Sequence, residues 1–151
     1  MERKKKVLFV CVQNSCRSQM AEGFARRMAG DILEPYSAGS NPADEVSPSA
    51  VAVMAEAGID ISSQKPKGFA ALPAAGFDYL VGMGCSDTCP FFPAARHIQW
   101  EIPDPKGQDI EVFRQVRDII RERVAELARG AWDAGGKDEK APKTVPGIPR
   151  S

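Results

Sequence analysis

A cysteine and an arginine, separated by five residues, follow a short apolar segment near the start of the chain. Cys11 ends the apolar run of residues 7–10, and Arg17 precedes a sequence that opens a helix. A thiolate is a nucleophile, and a helix N terminus with a neighbouring cation favours this form of a thiol. A guanidinium can bind two oxygens of a tetrahedral anion at once. This spacing therefore predicts a site that binds a tetrahedral oxyanion and attacks it through sulfur.

The residues around this pair fit a strand, a tight loop and a helix N terminus. Unpaired backbone N–H groups converge in such a loop and the helix dipole favours negative charge, so the loop is suited to anions. A lone cysteine at the end of a strand is more often a buried core residue. Its combination with asparagine, arginine and serine in this setting favours the catalytic interpretation, with the serine donating a hydrogen bond to the thiolate. The predicted oxyanion-binding residues are Val12, Gln13, Asn14, Ser15, Cys16, Arg17 and Ser18.

Composition indicates a single α/β domain. The 151 residues suffice for one core, and the balance of 20 basic against 20 acidic residues gives no indication of nucleic acid or membrane binding. The basic start precedes only six apolar residues, too few for a signal peptide or a membrane span, so we expect a cytoplasmic protein. Residues 1–134 are predicted to form the catalytic domain. Residues 135–151 lack periodicity and are predicted to be a disordered tail.

Apolar runs alternate with helical periodicity, which predicts a four-stranded parallel sheet with helices on both faces. Residue 30 should end the first helix, Ser47 should cap the second, which Gly58 ends, and Asp109 should cap the last. The predicted strands are residues 6–11, 34–38, 77–83 and 97–100, with a short amphipathic segment over 69–75.

Residues 11–22 resemble the phosphate-binding loop of the low-molecular-weight protein tyrosine phosphatases, and within that superfamily the arsenate reductases that use thioredoxin-type donors. Residues 36–39, residues 58–62 and the pair 104–105 fit the same pattern in the same order. The resemblance covers roughly residues 6–130. One departure is Gln13, where many members carry glycine, and this restricts the backbone angles of the loop.

The resemblance implies that Asp104 is a catalytic acid, on a loop that brings a carboxylic acid to the leaving oxygen. The flanking Pro103 and Pro105 stiffen that loop and are compatible with this role. On sequence alone, an aspartate before proline is more often a turn residue. The role of Asp104 therefore depends on the Cys11–Arg17 loop.

Cys85 and Cys89 follow the third predicted strand and decide which reaction is expected. Reducing arsenate needs two electrons, and thiols supply them by forming a disulfide. The resemblance implies that Cys11 attacks arsenate, that Cys85 then attacks Cys11 and releases arsenite, and that Cys89 pairs with Cys85. A thioredoxin-like or glutaredoxin-like protein would reduce this last disulfide. Their spacing of four positions also predicts a short helical turn over residues 85–89 in the reduced form.

Two other functions remain open. A phosphatase would hydrolyse phosphate monoesters through a phosphocysteine, but Lys106 and Gly107 stand where such phosphatases tend to carry tyrosines. Trp100 is the one nearby aromatic candidate for a substrate wall, and a core role is at least as common. The non-enzymatic alternative is a structural zinc site formed by the four cysteines (Cys11, Cys16, Cys85 and Cys89), with or without His97. Arg17 beside the thiolates disfavours it, and Cys16 is interpreted as a small loop residue.

The resemblance also bears on cations and partners. Some members bind potassium through positions that match Asn14, Glu22 and Ser37, with an aspartate as fourth ligand. Lys67, or alternatively Lys65, falls near that fourth position and would supply positive charge directly. We therefore expect no bound metal and no cofactor, arsenate as substrate with phosphate or sulfate as competing oxyanions, and a monomer.

Overall fold

The computed structural model of the chain describes residues 4–73, 76–83 and 94–134. Within these ranges no helix is both long enough and apolar enough to cross a membrane. The elements are, in chain order, β1 (Lys5–Cys11), α1 (Arg17–Ala29), β2 (Leu33–Gly39), α2 (Pro48–Glu56), a 3₁₀ turn (Phe69–Ala71), β3 (Phe77–Gly82), β4 (Ala94–Gln99) and α3 (Ile110–Ala134).

The four strands form one parallel sheet in the order β2-β1-β3-β4, which confirms the predicted sheet. β1 lies between β2 and β3. Its last residue, Cys11, pairs with Gly39, the last residue of β2. The fourth strand runs from Ala94 to Gln99, earlier than predicted, and Trp100 continues it only through a hydrogen bond from its N–H to the carbonyl of Gly82. Since the strands are parallel, their carboxyl ends meet at one edge, where Cys11 lies.

The two faces of the sheet are covered differently. Side chains alternate along β1, so Val7 and Phe9 join a large cluster with all three α-helices, whereas Leu8 and Val10 face a smaller cluster. The smaller cluster includes Phe69 of the 3₁₀ turn. Among the described residues, the three α-helices pack on one face of the sheet, and the helical structure on the other face is this 3₁₀ turn.

Local signals account for the helix starts. The Ser47 hydroxyl accepts a hydrogen bond from the N–H of Ala50 at the start of α2, and a carboxylate oxygen of Asp109 accepts one from the N–H of Val112. Both predicted caps are confirmed. α1 ends at Ala29, one residue before the predicted end.

Gly39 is the residue whose missing side chain brings β2 against the loop after β1. A Cβ atom at this position would lie 2.5 Å from the carbonyl oxygen of Val12, 2.8 Å from that of Cys11 and 2.9 Å from the amide nitrogen of Asn14. All three atoms belong to backbone and cannot rotate away. Any side chain here would therefore displace the loop that carries the predicted site.

We expect Gly39→Ala to lower the free energy of unfolding by about 1–3 kcal/mol, the usual range for overpacking. Urea unfolding followed by circular dichroism measures this loss. Gly130→Ala is the matched control, since nothing lies within 4 Å of a Cβ there and the residue is in α3. That change should stabilise the protein by up to about 1 kcal/mol. Equal stability of Gly39→Ala and the parent would contradict the close approach.

Candidate active site

The loop from Val12 to Cys16 is held by hydrogen bonds that its backbone carbonyl groups accept from the segment that follows β2. The carbonyl of Val12 accepts a hydrogen bond from the N–H of Asn41 at 2.8 Å, and that of Ser15 accepts one from Ser47 at 2.9 Å. Between them, the carbonyl of Gln13 accepts from the N–H of Ala43, also at 2.9 Å. The segment after β2 therefore supplies backbone donors to three carbonyl groups of this loop.

This orientation directs the N–H groups of the loop the other way. The described residues contain no cis peptide, and in a trans peptide the C=O and the following N–H point in opposite directions. The N–H groups of Gln13, Asn14 and Cys16 therefore point away from the segment after β2, and Gln13 and Cys16 are among the residues that line a pocket. Cys11, Val12, Gln13, Ser15, Cys16, Arg17, Asp104 and Lys106 line that pocket. Converging N–H groups of this kind can bind an anion, and anion binding by this loop stays a prediction.

Asn14 carries the one positive φ angle, 52°, among the described residues that are not glycine. Asparagine tolerates this conformation better than most residues. Gln13, which replaces the glycine of many family members, has no such requirement. Position 13 therefore does not need the backbone freedom of glycine in this loop.

Cys11 is almost fully buried and its Sγ lies 2.9 Å from the hydroxyl of Ser18. The neighbouring contacts leave the Ser18 hydroxyl able to donate, and a thiolate at Cys11 can only accept. The backbone N–H of Lys67 can only donate, and it donates to Oδ1 of Asn14, so Nδ2 of Asn14 faces Ser18 and donates to its Oγ at 2.7 Å. The Ser18 O–H is then left to donate to the sulfur of Cys11, the role predicted for it.

Arg17 is buried and anchored by the segment that follows β4. Its Nη1 donates to the carbonyl of Ile102 at 3.0 Å, and its Nη2 lies 3.4 Å from Oδ2 of Asp104. Nε has no hydrogen-bond partner among the described residues although it is buried. A buried donor on a pocket-lining guanidinium is available to an oxyanion in that pocket.

Asp104 lies at the rim of the same pocket, with about half of its side chain (52%) exposed. Its Oδ1 accepts a hydrogen bond from the backbone N–H of Lys106, which leaves Oδ2 towards Arg17. The structure thus brings Asp104, from the segment after β4, to the loop that carries Cys11 and Arg17. A carboxyl group in this position can reach an oxygen on the side of the oxyanion that faces solvent.

Cys16 differs from Cys11 in its surroundings. Its sulfur is 3.7 Å from the hydroxyl of Ser15, and burial raises the pKa of the Cys16 thiol. A raised pKa keeps the thiol protonated and therefore a poor nucleophile. This agrees with the interpretation of Cys16 as a loop residue.

A cluster of charged groups supports the loop from below. Nζ of Lys67 lies 3.5 Å from Oγ of Ser37 and 3.9 Å from Oε1 of Glu22, and Ser37 also donates to Glu22. The other carboxylate oxygen of Glu22 accepts from Arg26 at 2.5 Å. Lys65 contributes its backbone carbonyl to Nζ of Lys67 rather than its side chain. Of the positions that the resemblance matches to potassium ligands, Glu22 and Ser37 lie beside the ammonium group of Lys67, and Asn14 accepts from its backbone N–H. A set that already holds an ammonium group does not fit a potassium ion.

Two predicted features have different outcomes. Trp100 is buried and packs against Phe9 of β1 with ring centroids 5.9 Å apart, so it belongs to the core and forms no wall of the pocket. Cys85 and Cys89, with the helical turn predicted between them, lie outside the described residues. Within the described ranges, no three histidine, cysteine or acidic side chains are grouped to hold a metal. The zinc alternative depends on Cys85 and Cys89 and stays a prediction.

Comparison with known proteins agrees with this geometry. The profile of the low molecular weight phosphotyrosine protein phosphatases matches residues 6–138. The chain belongs to this family. A glutaredoxin arsenate reductase of Synechocystis is 42% identical over 126 residues, which cover 82% of this chain and 95% of that protein.

Solved structures give the same result. An arsenate reductase in a phosphate-binding state superposes with a TM-score of 0.75 at 39% identity, over 84% of this chain and 98% of that one. A thioredoxin-dependent arsenate reductase of Corynebacterium glutamicum has a TM-score of 0.71 at 33% identity, over 88% of this chain and 64% of that one. These relatives share the four-stranded fold described above.

The sequence did not reveal three groups on which the site depends. They are the carbonyl of Ile102 that anchors Arg17, the donor segment 41–47, and the side chain of Gln19, which donates to the carbonyl of Asn14. Two of these are backbone groups, for which residue type carries no signal. Gln19 is distinguished by its burial, because a fully buried glutamine is rare and needs hydrogen-bond partners. Burial is a property of the folded structure, so the sequence did not single this residue out.

We expect Lys67→Gln to lower the free energy of unfolding by about 1–2 kcal/mol, because the buried carboxylate of Glu22 loses one of its two cationic neighbours. Lys65→Gln is the matched control, since it keeps the backbone carbonyl and should change stability little. Chemical denaturation of the three proteins measures the difference.

We also expect potassium to leave the activity of the parent unchanged when it replaces sodium at constant ionic strength. Activation by potassium, or equal losses in both variants, would contradict the role of Lys67.

Proposed function

We propose that this protein reduces arsenate to arsenite with thiols as the source of electrons. The observation that carries the proposal is the pocket in which Cys11, the inward N–H groups of its loop, Arg17 and Asp104 meet. Relatives about 40% identical over most of the chain are named arsenate reductases, and one was solved in a phosphate-binding state. Phosphate and arsenate are both tetrahedral oxyanions, so one cradle suits either.

In the first step arsenate binds with its oxygens on the loop N–H groups and on Arg17. The thiolate of Cys11 attacks arsenic, and a hydroxyl group leaves as water after Asp104 donates a proton. Ser18 holds the sulfur through its hydroxyl before the attack. The product is a covalent bond between Cys11 and arsenic, which is still in its oxidised state.

The second step transfers two electrons. The thiolate of Cys85 attacks the sulfur of Cys11, and the electron pair of the sulfur–arsenic bond stays on arsenic, which leaves as arsenite. Cys89 then attacks Cys85 and releases Cys11 as a thiolate. The remaining Cys85–Cys89 disulfide accepts two electrons from an external dithiol. This relay follows from the family resemblance and from the presence of both cysteines in the sequence.

The external reductant is proposed as a class, a small dithiol protein. The Synechocystis relative is named a glutaredoxin enzyme and the Corynebacterium relative a thioredoxin-dependent one. Both classes are therefore candidates here. We propose further that residues 1–134 form the catalytic domain, and that the protein acts as a cytoplasmic monomer.

A phosphatase is the second candidate, because the family takes its name from that activity. A pocket for aryl phosphates needs apolar walls, and among the described residues those that line this pocket include no aromatic side chain. Trp100, the candidate for such a wall, lies in the core. These observations favour a small inorganic oxyanion over phosphotyrosine.

We expect arsenate-dependent oxidation of NADPH when the protein is coupled either to thioredoxin with thioredoxin reductase or to glutaredoxin with glutathione and its reductase. The faster of the two systems identifies the class of reductant. Omission of arsenate, and its replacement by sulfate, are the controls. No arsenate-dependent turnover with either system would refute the reductase.

Substitutions separate the two enzyme classes. Cys11→Ser should lower both arsenate reduction and hydrolysis of p-nitrophenyl phosphate about a thousandfold or more, because both reactions need the same nucleophile. Cys85→Ala should remove multiple-turnover reduction but leave the slow hydrolysis unchanged. Cys16→Ala is the control for loss of a thiol in general.

If Cys85→Ala reduces arsenate over many turnovers like the parent, the disulfide relay is wrong. Metal analysis of the purified parent belongs to the same experiment. One zinc ion per chain would favour the structural zinc site over either enzyme.

A further inference from the structure

One peptide of the oxyanion loop is held by a side chain instead of by backbone. The carbonyl groups of Val12, Gln13 and Ser15 are bound by N–H groups of the segment 41–47. The carbonyl of Asn14 instead accepts from Nε2 of Gln19, at 2.9 Å. This carbonyl shares its peptide plane with the N–H of Ser15, and in a trans peptide the two point in opposite directions. Gln19 therefore turns the Ser15 N–H towards the pocket, which Ser15 lines.

The amide of Gln19 is completely buried and fully used. Its Nε2 also lies 3.0 Å from Oδ1 of Asn14 and 3.1 Å from the carbonyl of Lys65. Together with the carbonyl of Asn14, these are three acceptors, so the NH₂ end of the amide must face them. Its Oε1 accepts from Nε2 of Gln64 at 2.6 Å. An apolar side chain of the same length would fill the space but could not hold the peptide.

The orientation of the two glutamine amides, Gln64 and Gln19, is set by an arginine at the exposed end of this series of hydrogen bonds. The guanidinium of Arg26 can only donate, and its Nη1 donates to Oε1 of Gln64 at 3.0 Å. Gln64 must then present Nε2 to Gln19, and Gln19 must present Nε2 to Asn14. The two amides are therefore oriented by Arg26, and their orientation matches what the peptide of Asn14 and Ser15 needs.

We infer that Gln19 is a positioning residue for oxyanion binding, which aims the N–H of Ser15 at the anion, and that Gln64 holds Gln19 in the required orientation. The inference deepens the proposed function and rests on its oxyanion site. It concerns binding of the anion, before any sulfur chemistry. Gln19 itself lies beneath the loop and is absent from the residues that line the pocket.

The test uses the full chain with inorganic phosphate as probe, so it needs neither the reductant nor Cys85 and Cys89. Gln19→Met keeps the length of the side chain without its N–H groups, and we expect phosphate affinity to fall about tenfold to a hundredfold, the effect of one charge-assisted hydrogen bond. Gln64→Met should give a smaller loss, because the amide of Gln19 can then rotate. Gln115→Met, on the exposed side of α3, is the control and should bind like the parent.

A spectroscopic readout separates positioning from a general loss of structure. In ¹H–¹⁵N spectra of the parent, the amide of Ser15 should shift on addition of phosphate, together with those of Gln13 and Cys16. In Gln19→Met the Ser15 response should be lost while the other two remain. If Gln19→Met does not fold, Gln64→Met decides, with a reduced Ser15 response expected.

The inference is overturned if Gln19→Met binds phosphate as tightly as the parent and its Ser15 amide responds as in the parent. If Gln19→Met does not fold, the same result in Gln64→Met overturns it. Equal loss of response at Gln13, Ser15 and Cys16 would also overturn it, since that pattern means a disordered loop and not one misdirected peptide. A parent that binds phosphate but does not reduce arsenate contradicts the proposed reductase alone, and the comparison of variants still applies.

Discussion

The direction of the peptide planes between Cys11 and Arg17 is the constraint on which the rest of the structure depends. Successive N–H groups that converge on one point repel each other and leave their carbonyl groups facing the protein, where each needs a donor. The segment 41–47 and Gln19 supply those donors. β2 must therefore end against the loop, and Gly39 makes that approach possible because it has no side chain. The anion cradle is thus a property of two strands and of the segment that follows the second.

A second constraint links the loop to the far side of the sheet. Arg17 begins α1, after the central strand, but its guanidinium is held by the carbonyl of Ile102 and lies beside Asp104. These residues follow β4, the edge strand two positions away. A parallel sheet makes the contact possible, because all its strands end at one edge. The same contact fixes the distance between the oxyanion cradle and the carboxyl group at its rim.

Much of this could be predicted from local sequence, and what could not depends on contacts between distant segments. Neighbouring residues in the sequence predict the Cys11–Arg17 loop and the caps at Ser47 and Asp109, and the alternation of strand and helix patterns predicts the parallel sheet. The early start of the fourth strand was missed because residues 94–96 are small or charged, and pairing with β3 decides their conformation. Sequence placed Lys67 near the fourth position and left Lys65 as the alternative, and the path of the chain puts the ammonium group of Lys67 beside Glu22.

The glutamine at position 13 shows how a departure from a family pattern can leave the chemistry intact while it changes the pocket. The strained conformation belongs to Asn14, so position 13 accepts a side chain without backbone cost. That side chain joins Asp104 and Lys106 among the described residues that line the pocket. Polar and charged groups gain little from an aryl ring, because burying them without partners costs free energy, whereas a small oxyanion offers acceptors to every nearby donor. The substitution therefore acts in the same direction as the buried Trp100: both favour an inorganic oxyanion over an aryl phosphate in the proposed function.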